Sequence, residues 1–232
     1  MIPFRDNIPS RSFPVVNISI ILVNVFVFLY ELSLGRHLES FITQYGVVPA
    51  AVFAWPQSDL PLKAIALPFL TSMFLHGGWL HLIGNMWYLW IFGDNIEDRL
   101  GHLTYLIFYL LCGFGAGIVH TILNYAVTVP SIGASGAIAG VLGAYAVSYP
   151  FAKVATLVPI FFFLTVIDIP AILVLGFWFV LQFLYGATSL AAVTPNTGGV
   201  AWWAHVGGFI VGMILVGLFP RKDRPRYEYT WR

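Results

Sequence analysis

Ile132-Gly133-Ala134-Ser135-Gly136-Ala137-Ile138-Ala139-Gly140 sets one serine among glycines and alanines at the head of an apolar run that contains no charge. The run is part of something longer. No Asp, Glu, Lys or Arg occurs from Leu103 to Ala152, from Ala64 to Gly93, or from Ile169 to Pro220. A helix crosses a bilayer with about 20 mostly apolar residues, so each tract holds one crossing or more. Of the 232 residues 59% are hydrophobic and only 9% are charged, where a soluble domain carries about 25% charged residues. A soluble fold of this size could not hide that much apolar surface. The fold class is therefore an all-α polytopic membrane protein.

Other classes fall away on the same observations. A transmembrane β-barrel alternates polar and apolar residues in short segments, whereas these stretches run on for whole helices. The single cysteine, Cys112, excludes an intramolecular disulfide or a four-cysteine metal site. A net charge of +1 points to no nucleic-acid partner. The first apolar run lacks a clear small-residue cleavage site and is expected to be an anchor rather than a removable signal.

Taken in order, Met1–Pro14 is a polar head too small to be a domain, and Val15–Phe219 is the membrane domain. The spans are expected at Val15 to about Leu32, at Phe69 or Leu80 to Phe92, at Leu103 to about Leu123, at Gly133 to Tyr149, at Ile169 to Leu184 or Ala187, and at Val200 to Phe219. Ser33–Pro68 is a long outer loop with interfacial tryptophan. Gly93–His102 is a short charged connection, and Phe151–Asp168, which carries Lys153 and Pro159, is an interfacial or buried one. Pro220–Arg232 is a basic tail. With six spans, nine Lys and Arg residues fall on the side of the termini and two, Arg36 and Lys63, on the other. By the positive-inside rule both termini are cytoplasmic. A compact chain of this kind is expected in the plasma membrane.

In this topology Ser135, His205, His81 and Asn85 come to a similar depth. Ser135 on its own is a small residue on a packing face, since Gly136, Gly140, Ala144 and Ser148 recur at four-residue intervals. Gly208 and Gly212 form a second such face beside His205, and small faces let helices approach closely. If the two faces pack, a hydroxyl and an imidazole meet as a nucleophile with its general base. No acidic residue lies at that depth, which points to a dyad rather than a triad. His81 and Asn85, one turn apart, are donors suited to an oxyanion together with the Ser135 amide. A metal site from His76, His81 and His205 lacks both an HExxH pattern and buried acidic ligands, so neither metal nor cofactor is expected.

The segments His76-Gly77-Gly78-Trp79-Leu80-His81-Leu82-Ile83-Gly84-Asn85, Gly133-Ala134-Ser135-Gly136 and Ala204-His205-Val206-Gly207-Gly208 make the chain resemble the rhomboid family of intramembrane serine proteases. The resemblance covers nearly everything after the head. It implies a six-helix rhomboid-type bundle without a seventh helix. It also implies an endopeptidase that hydrolyses peptide bonds in or near transmembrane segments of single-span or other membrane proteins. Ser135 would be the nucleophile and His205 the base, with His81 and Asn85 stabilising the oxyanion, Gly133 at the nearby turn and His76 organising the loop. Glu97, between Gly93 and Gly101, matches a glutamate that braces the far side. The fifth helix would gate substrate entry, with Trp178, Phe179 and Phe183 against Trp87 and Trp90, and the Gly and Ala surroundings of Ser135 suit a small P1 side chain. Trp55-Pro56 stands where family members carry a Trp-Arg element. The competing function is a membrane chaperone or transporter using the same polar cluster; the inverted repeats that would favour a transporter are not evident.

Overall fold

In a bilayer the apolar side of a helix faces the solvent and the polar side faces its neighbours. The first helix of the computed structural model, which describes residues 1–160, 163–191 and 199–219, follows that inversion. In α1 (Val15–Ser33) Asn17, Ile20, Asn24, Phe28 and Glu31 are buried, a stripe at three- and four-residue spacing. Leu22, Val23, Phe26, Leu29 and Tyr30 on the other side are exposed. The Asn17 amide donates to Leu89 O at 3.0 Å and its oxygen accepts from the Tyr105 hydroxyl at 2.8 Å.

The long loop after α1 is mostly helical: α2 (Leu38–Tyr45), α3 (Pro49–Ala54) and α4 (Leu62–Thr71). From α4 the chain bends by 78° through a short 3-10 turn and His76-Gly77-Gly78 into α5 (Trp79–Leu100). α5 thus continues through the charged stretch expected to be a connection. Its acids have partners that let the helix persist. Ser10 Oγ donates to Asp94 at 2.5 Å, and Ser12 Oγ and the Arg11 amide donate to Asp98 at 2.8 and 3.2 Å. Glu97, fully buried, accepts the Val16 and Asn17 amides at 3.0 and 2.7 Å. These are orphan donors of the first turn of α1, and a carboxylate there also complements the helix dipole. Gly101, at φ 83°, makes the turn into α6 (His102–Leu123), a conformation that favours glycine.

α7 (Ser135–Ser148) is the central helix, buried from Gly136 to Ala146, with α8 (Ala171–Ala191) and α9 (Trp202–Leu218) beside it. The expected small faces do meet. A Cβ at Gly208 would lie 2.0 Å from Gly136 O, one at Gly212 1.9 Å from Gly140 O, and one at Gly143 2.1 Å from Phe209 O. Nothing larger than hydrogen fits, so the α7 and α9 backbones touch. α1, α6 and α8 are each long and apolar enough to cross a membrane, and the bent α4–α5 pair counts as a fourth. α7 and α9 are apolar but shorter. The chain is thus a polytopic α-helical membrane bundle.

A three-stranded antiparallel sheet is added to the bundle, and here the sequence expectation needs correction. β1 (Ile2–Asp6) lies in the head, and β2 (Lys153–Ile160) and β3 (Phe163–Pro170) replace the connection placed at Phe151–Asp168. The order is β1-β2-β3, with Ile2 opposite Leu157, Asp6 opposite Val154 and Lys153 opposite Pro170. A continuous apolar run has no period to separate strand from helix, and the strand that pairs with β2 lies in the head, before the first span. The basic tail expected at 220–232 lies outside the described residues.

Candidate active site

Ser135 is the first residue of α7 and His205 lies in the first turn of α9. Backbone contact between the two helices carries the side chains together. Ser135 Oγ and His205 Nε2 are 2.8 Å apart, within hydrogen-bond range. The other imidazole nitrogen, Nδ1, lies 2.7 Å from Gln182 Oε1 of α8. An amide oxygen only accepts, so Nδ1 carries the proton and Nε2 is left to accept from the serine hydroxyl. The Trp178 ring, also on α8, lies over the imidazole with centroids 5.8 Å apart, and Trp202 meets it edge-on at 6.2 Å. His205 is therefore held by hydrogen bonds at both nitrogens and by indoles on two sides.

His81 and Asn85, one turn apart on α5, face the same space. The Gly77 amide donates to His81 Nδ1 at 3.4 Å, which directs the Nε2 proton toward Gly133 and Ser135. Gly133 has φ 128°, and a Cβ there would stand 2.7 Å from His81 Nε2 and 3.5 Å from Ser135 Oγ. Only glycine gives both this backbone and this clearance. The Gly133 amide donates to Ser72 O at 2.9 Å, fixing the turn that starts α7. Asn85 Nδ2 donates to His76 Nε2 at 3.0 Å and keeps a second N–H for a ligand. His76 is buried, packs on His81 at 5.1 Å, and its amide donates to the Glu31 carboxylate at 3.2 Å.

The four residues expected at one depth line a single cavity of about 210 Å³. Its walls are Leu80, His81, Gly84, Asn85 and Tyr88 of α5, Trp178 and Gln182 of α8, Ser135 and His205. α5 and α8 both wall the cavity but barely touch each other, and Leu80 at its rim is 88% exposed, so the cavity opens between these two helices. A larger cavity, about 560 Å³, lies among α2, α3 and α4 with Lys63 as its one charged lining residue, away from Ser135. Among the described residues no group of His, Cys, Asp and Glu has the arrangement of a metal site.

A family model described as "Rhomboid domain" matches residues 65–222. The chain belongs to the rhomboid family. This rhomboid is 35% identical over 184 residues to "Presenilin-associated rhomboid-like protein A, mitochondrial" of Danio rerio, covering 72% of the chain and 42% of that protein. It is 33% identical over 210 residues to "Presenilin-associated rhomboid-like protein, mitochondrial" of Bos taurus, covering 84% and 46%. To "Rhomboid-like protein 11, chloroplastic" of Arabidopsis thaliana it is 31% identical over 162 residues, covering 66% and 52%. The chain thus spans about half the length of these relatives or less. Their names correct the expectation of a plasma membrane with cytoplasmic termini, since these relatives belong to mitochondria and chloroplasts. The cause is physical: charge asymmetry distinguishes the two sides of a bilayer and carries nothing about which bilayer it is.

Sequence reasoning missed Gln182. The lack of an acid at this depth predicts a bare dyad, whereas a neutral amide meets Nδ1. Its signal was present, because Gln182 is the only Asn or Gln from Ile169 to Leu190 and an isolated amide in an apolar span faces a partner. The fifth-helix aromatics also pack differently from the expectation. Trp178 and Phe179 lie on Phe209 and Phe183 on Trp203, while Trp87 meets Phe4 of β1.

Proposed function

We propose that this rhomboid is an intramembrane serine endopeptidase that cuts transmembrane proteins, with α1, α5, α6, α7, α8 and α9 as six crossings. The supporting observation is the Ser135–His205 hydrogen bond, made across 70 residues of sequence inside an apolar bundle. An intramembrane histidine at a serine hydroxyl has few structural uses, and a polar group at this depth is a functional site by default.

His205 Nε2 takes the Ser135 proton as Oγ attacks a substrate carbonyl. Gln182 Oε1 holds the Nδ1 proton, and so the tautomer and ring orientation, throughout. The oxyanion is stabilised by the Ser135 amide, which the helix start leaves without an intrahelical partner, and by His81 Nε2–H and Asn85 Nδ2–H. His205 then protonates the leaving amine, and water hydrolyses the acyl-enzyme. α7 has 14 residues, about 21 Å of helix, against a hydrocarbon core of about 30 Å. The shortfall recesses Ser135 below one membrane surface, beneath the loop that precedes α7, where water can enter from that side. Gly133 keeps His81 close, and His76 and Glu31 hold the turn that presents His81 and Asn85. No metal or cofactor enters these steps.

Cleavage of a single-span substrate in liposomes by wild type, Ser135→Ala and His205→Ala protein tests the proposal. Both variants should be inactive, and undiminished cleavage by either one defeats it.

A further inference from the structure

The three-stranded sheet lies where a membrane protease meets its substrate. β1 is fastened to α5: Trp87 Nε1 donates to Pro3 O at 2.7 Å and Asn95 Nδ2 to Ile8 O at 3.0 Å. The Tyr145 hydroxyl of α7 donates to Asp6. At the base of the hairpin the Ala171 amide, where α8 begins, donates to Ala152 O at 2.8 Å, and Val154 shares the buried core with Tyr145 and Val174. The sheet therefore lies between α5 and α8 and runs from the Asn95 end of α5 toward the catalytic cavity.

Its depth follows from α5. Trp87 is two residues from Asn85, about 3 Å along the axis, so Pro3 reaches nearly the level of the catalytic cavity. Ile2 pairs with Leu157, and the hairpin continues beyond that pair to Ile160 and Phe163. From Val154 to Ile167 the hairpin has no charged residue; Asp6, Lys153 and Asp168 sit at its base. Phe163, Leu164 and Val166 of β3 are 75%, 70% and 57% exposed. Neighbouring strand residues point to opposite faces, so β3 is exposed on both, with Thr165 the one polar residue from Phe163 to Ile167. Among the described residues β3 is also one of the two edges of the sheet, and an edge carries unpaired backbone N–H and C=O groups that lipid does not solvate.

We propose that β3 is a docking surface for the transmembrane segment of the protein being cut. This rests on the protease function proposed above. A peptide bond that reaches Ser135 between α5 and α8 leaves the rest of its membrane segment running toward the opposite face of the bilayer, and there the hairpin borders the opening. The wall has no charge, so it suits an apolar segment. Residues near the scissile bond must leave their helix to present a carbonyl, which frees backbone groups that need partners in lipid. The open edge of β3 supplies such partners in the manner of strand addition, and each unpaired backbone then satisfies the other.

The test is photocrosslinking in proteoliposomes with a single-span substrate, using Ser135→Ala protein to hold the complex and p-benzoylphenylalanine in place of Leu164 or Val166. Substrate adducts are expected from both positions and not from Leu218, an exposed control on α9. In active protein Leu164→Ser with Val166→Ser should raise KM for the single-span substrate about tenfold, the loss of two apolar contacts, with kcat and fluorophosphonate labelling of Ser135 unchanged. Adducts from β3 only to lipid or to a second copy of the chain overturn the proposal, as does an unchanged KM. Wild-type protein that neither cleaves nor labels would instead remove the protease function, which separates the two failures.

Discussion

Replacing Gln182 by Met keeps the length of the side chain and removes the acceptor at His205 Nδ1. The bond it breaks is 2.7 Å long and buried. In the variant the Nδ1 proton either stays without a partner or moves to Nε2, where it blocks acceptance of the Ser135 proton. An orphaned buried donor costs about 1–3 kcal/mol, and each 1.4 kcal/mol in the barrier is about tenfold in rate, so kcat should fall about 10- to 100-fold. Loss of a charged acid from a serine–histidine–aspartate triad costs about ten-thousandfold; the smaller loss expected here reflects that a neutral amide orients the imidazole and stabilises its cation only weakly. Gln182 lines the cavity beside the proposed catalytic pair, so KM for a single-span substrate should change little. Gln182→Glu, which still accepts from Nδ1, should retain most activity. The assay is kcat and KM in proteoliposomes together with the rate of fluorophosphonate labelling. A Met variant with wild-type kcat, or a Glu variant as impaired as Met, would refute an orienting role and leave only packing.

Other sites have equally specific consequences. Asn85→Ala removes one donor of the proposed oxyanion site and should lower kcat about a hundredfold with little change in KM, a milder loss than Ser135→Ala gives, measured in the same liposome assay. Gly133→Ala places a methyl 2.7 Å from His81 Nε2 on a backbone unsuited to it; turnover should fall while thermal unfolding in detergent stays near wild type. Gly212→Ala puts its methyl 1.9 Å from Gly140 O, and forcing α7 and α9 apart should cost about 3 kcal/mol or more, seen as a lowered unfolding temperature together with lost activity. Glu97→Ala strips partners from two α1 amides and from His102 Nδ1, which lies 2.5 Å from the carboxylate. It should destabilise by about 2–4 kcal/mol, while protein that remains folded keeps its KM, because Glu97 is sixteen residues, about 24 Å, from His81.

Much of the site was legible in one dimension. Charge-free tracts marked the chain as a polytopic helical membrane protein because a charge in hydrocarbon is costly, and the four-residue spacing of small residues on α7 and α9 foretold their contact because only small residues let backbones touch. Ser135, His205, His81 and Asn85 could be named from their depth along those spans. Tertiary structure alone decided what surrounds them. Gln182 reaches His205 from a third helix, Glu31 holds the His76 turn from the far end of α1, and Glu97 receives the start of α1. Each is a contact between residues distant in sequence, where no local period records the partner. The sheet is the clearest case: Val154–Ile167 reads as one apolar run until Ile2–Asp6, from the other end of the chain, hydrogen-bonds to it. Composition determined that this chain lives in a bilayer and which polar residues it carries there, since lipid excludes every charge without a partner. Which polar groups meet, and that a hairpin lies beside the opening to Ser135, was decided by long-range pairing, because hydrogen bonds between separate segments depend on where the backbone brings them.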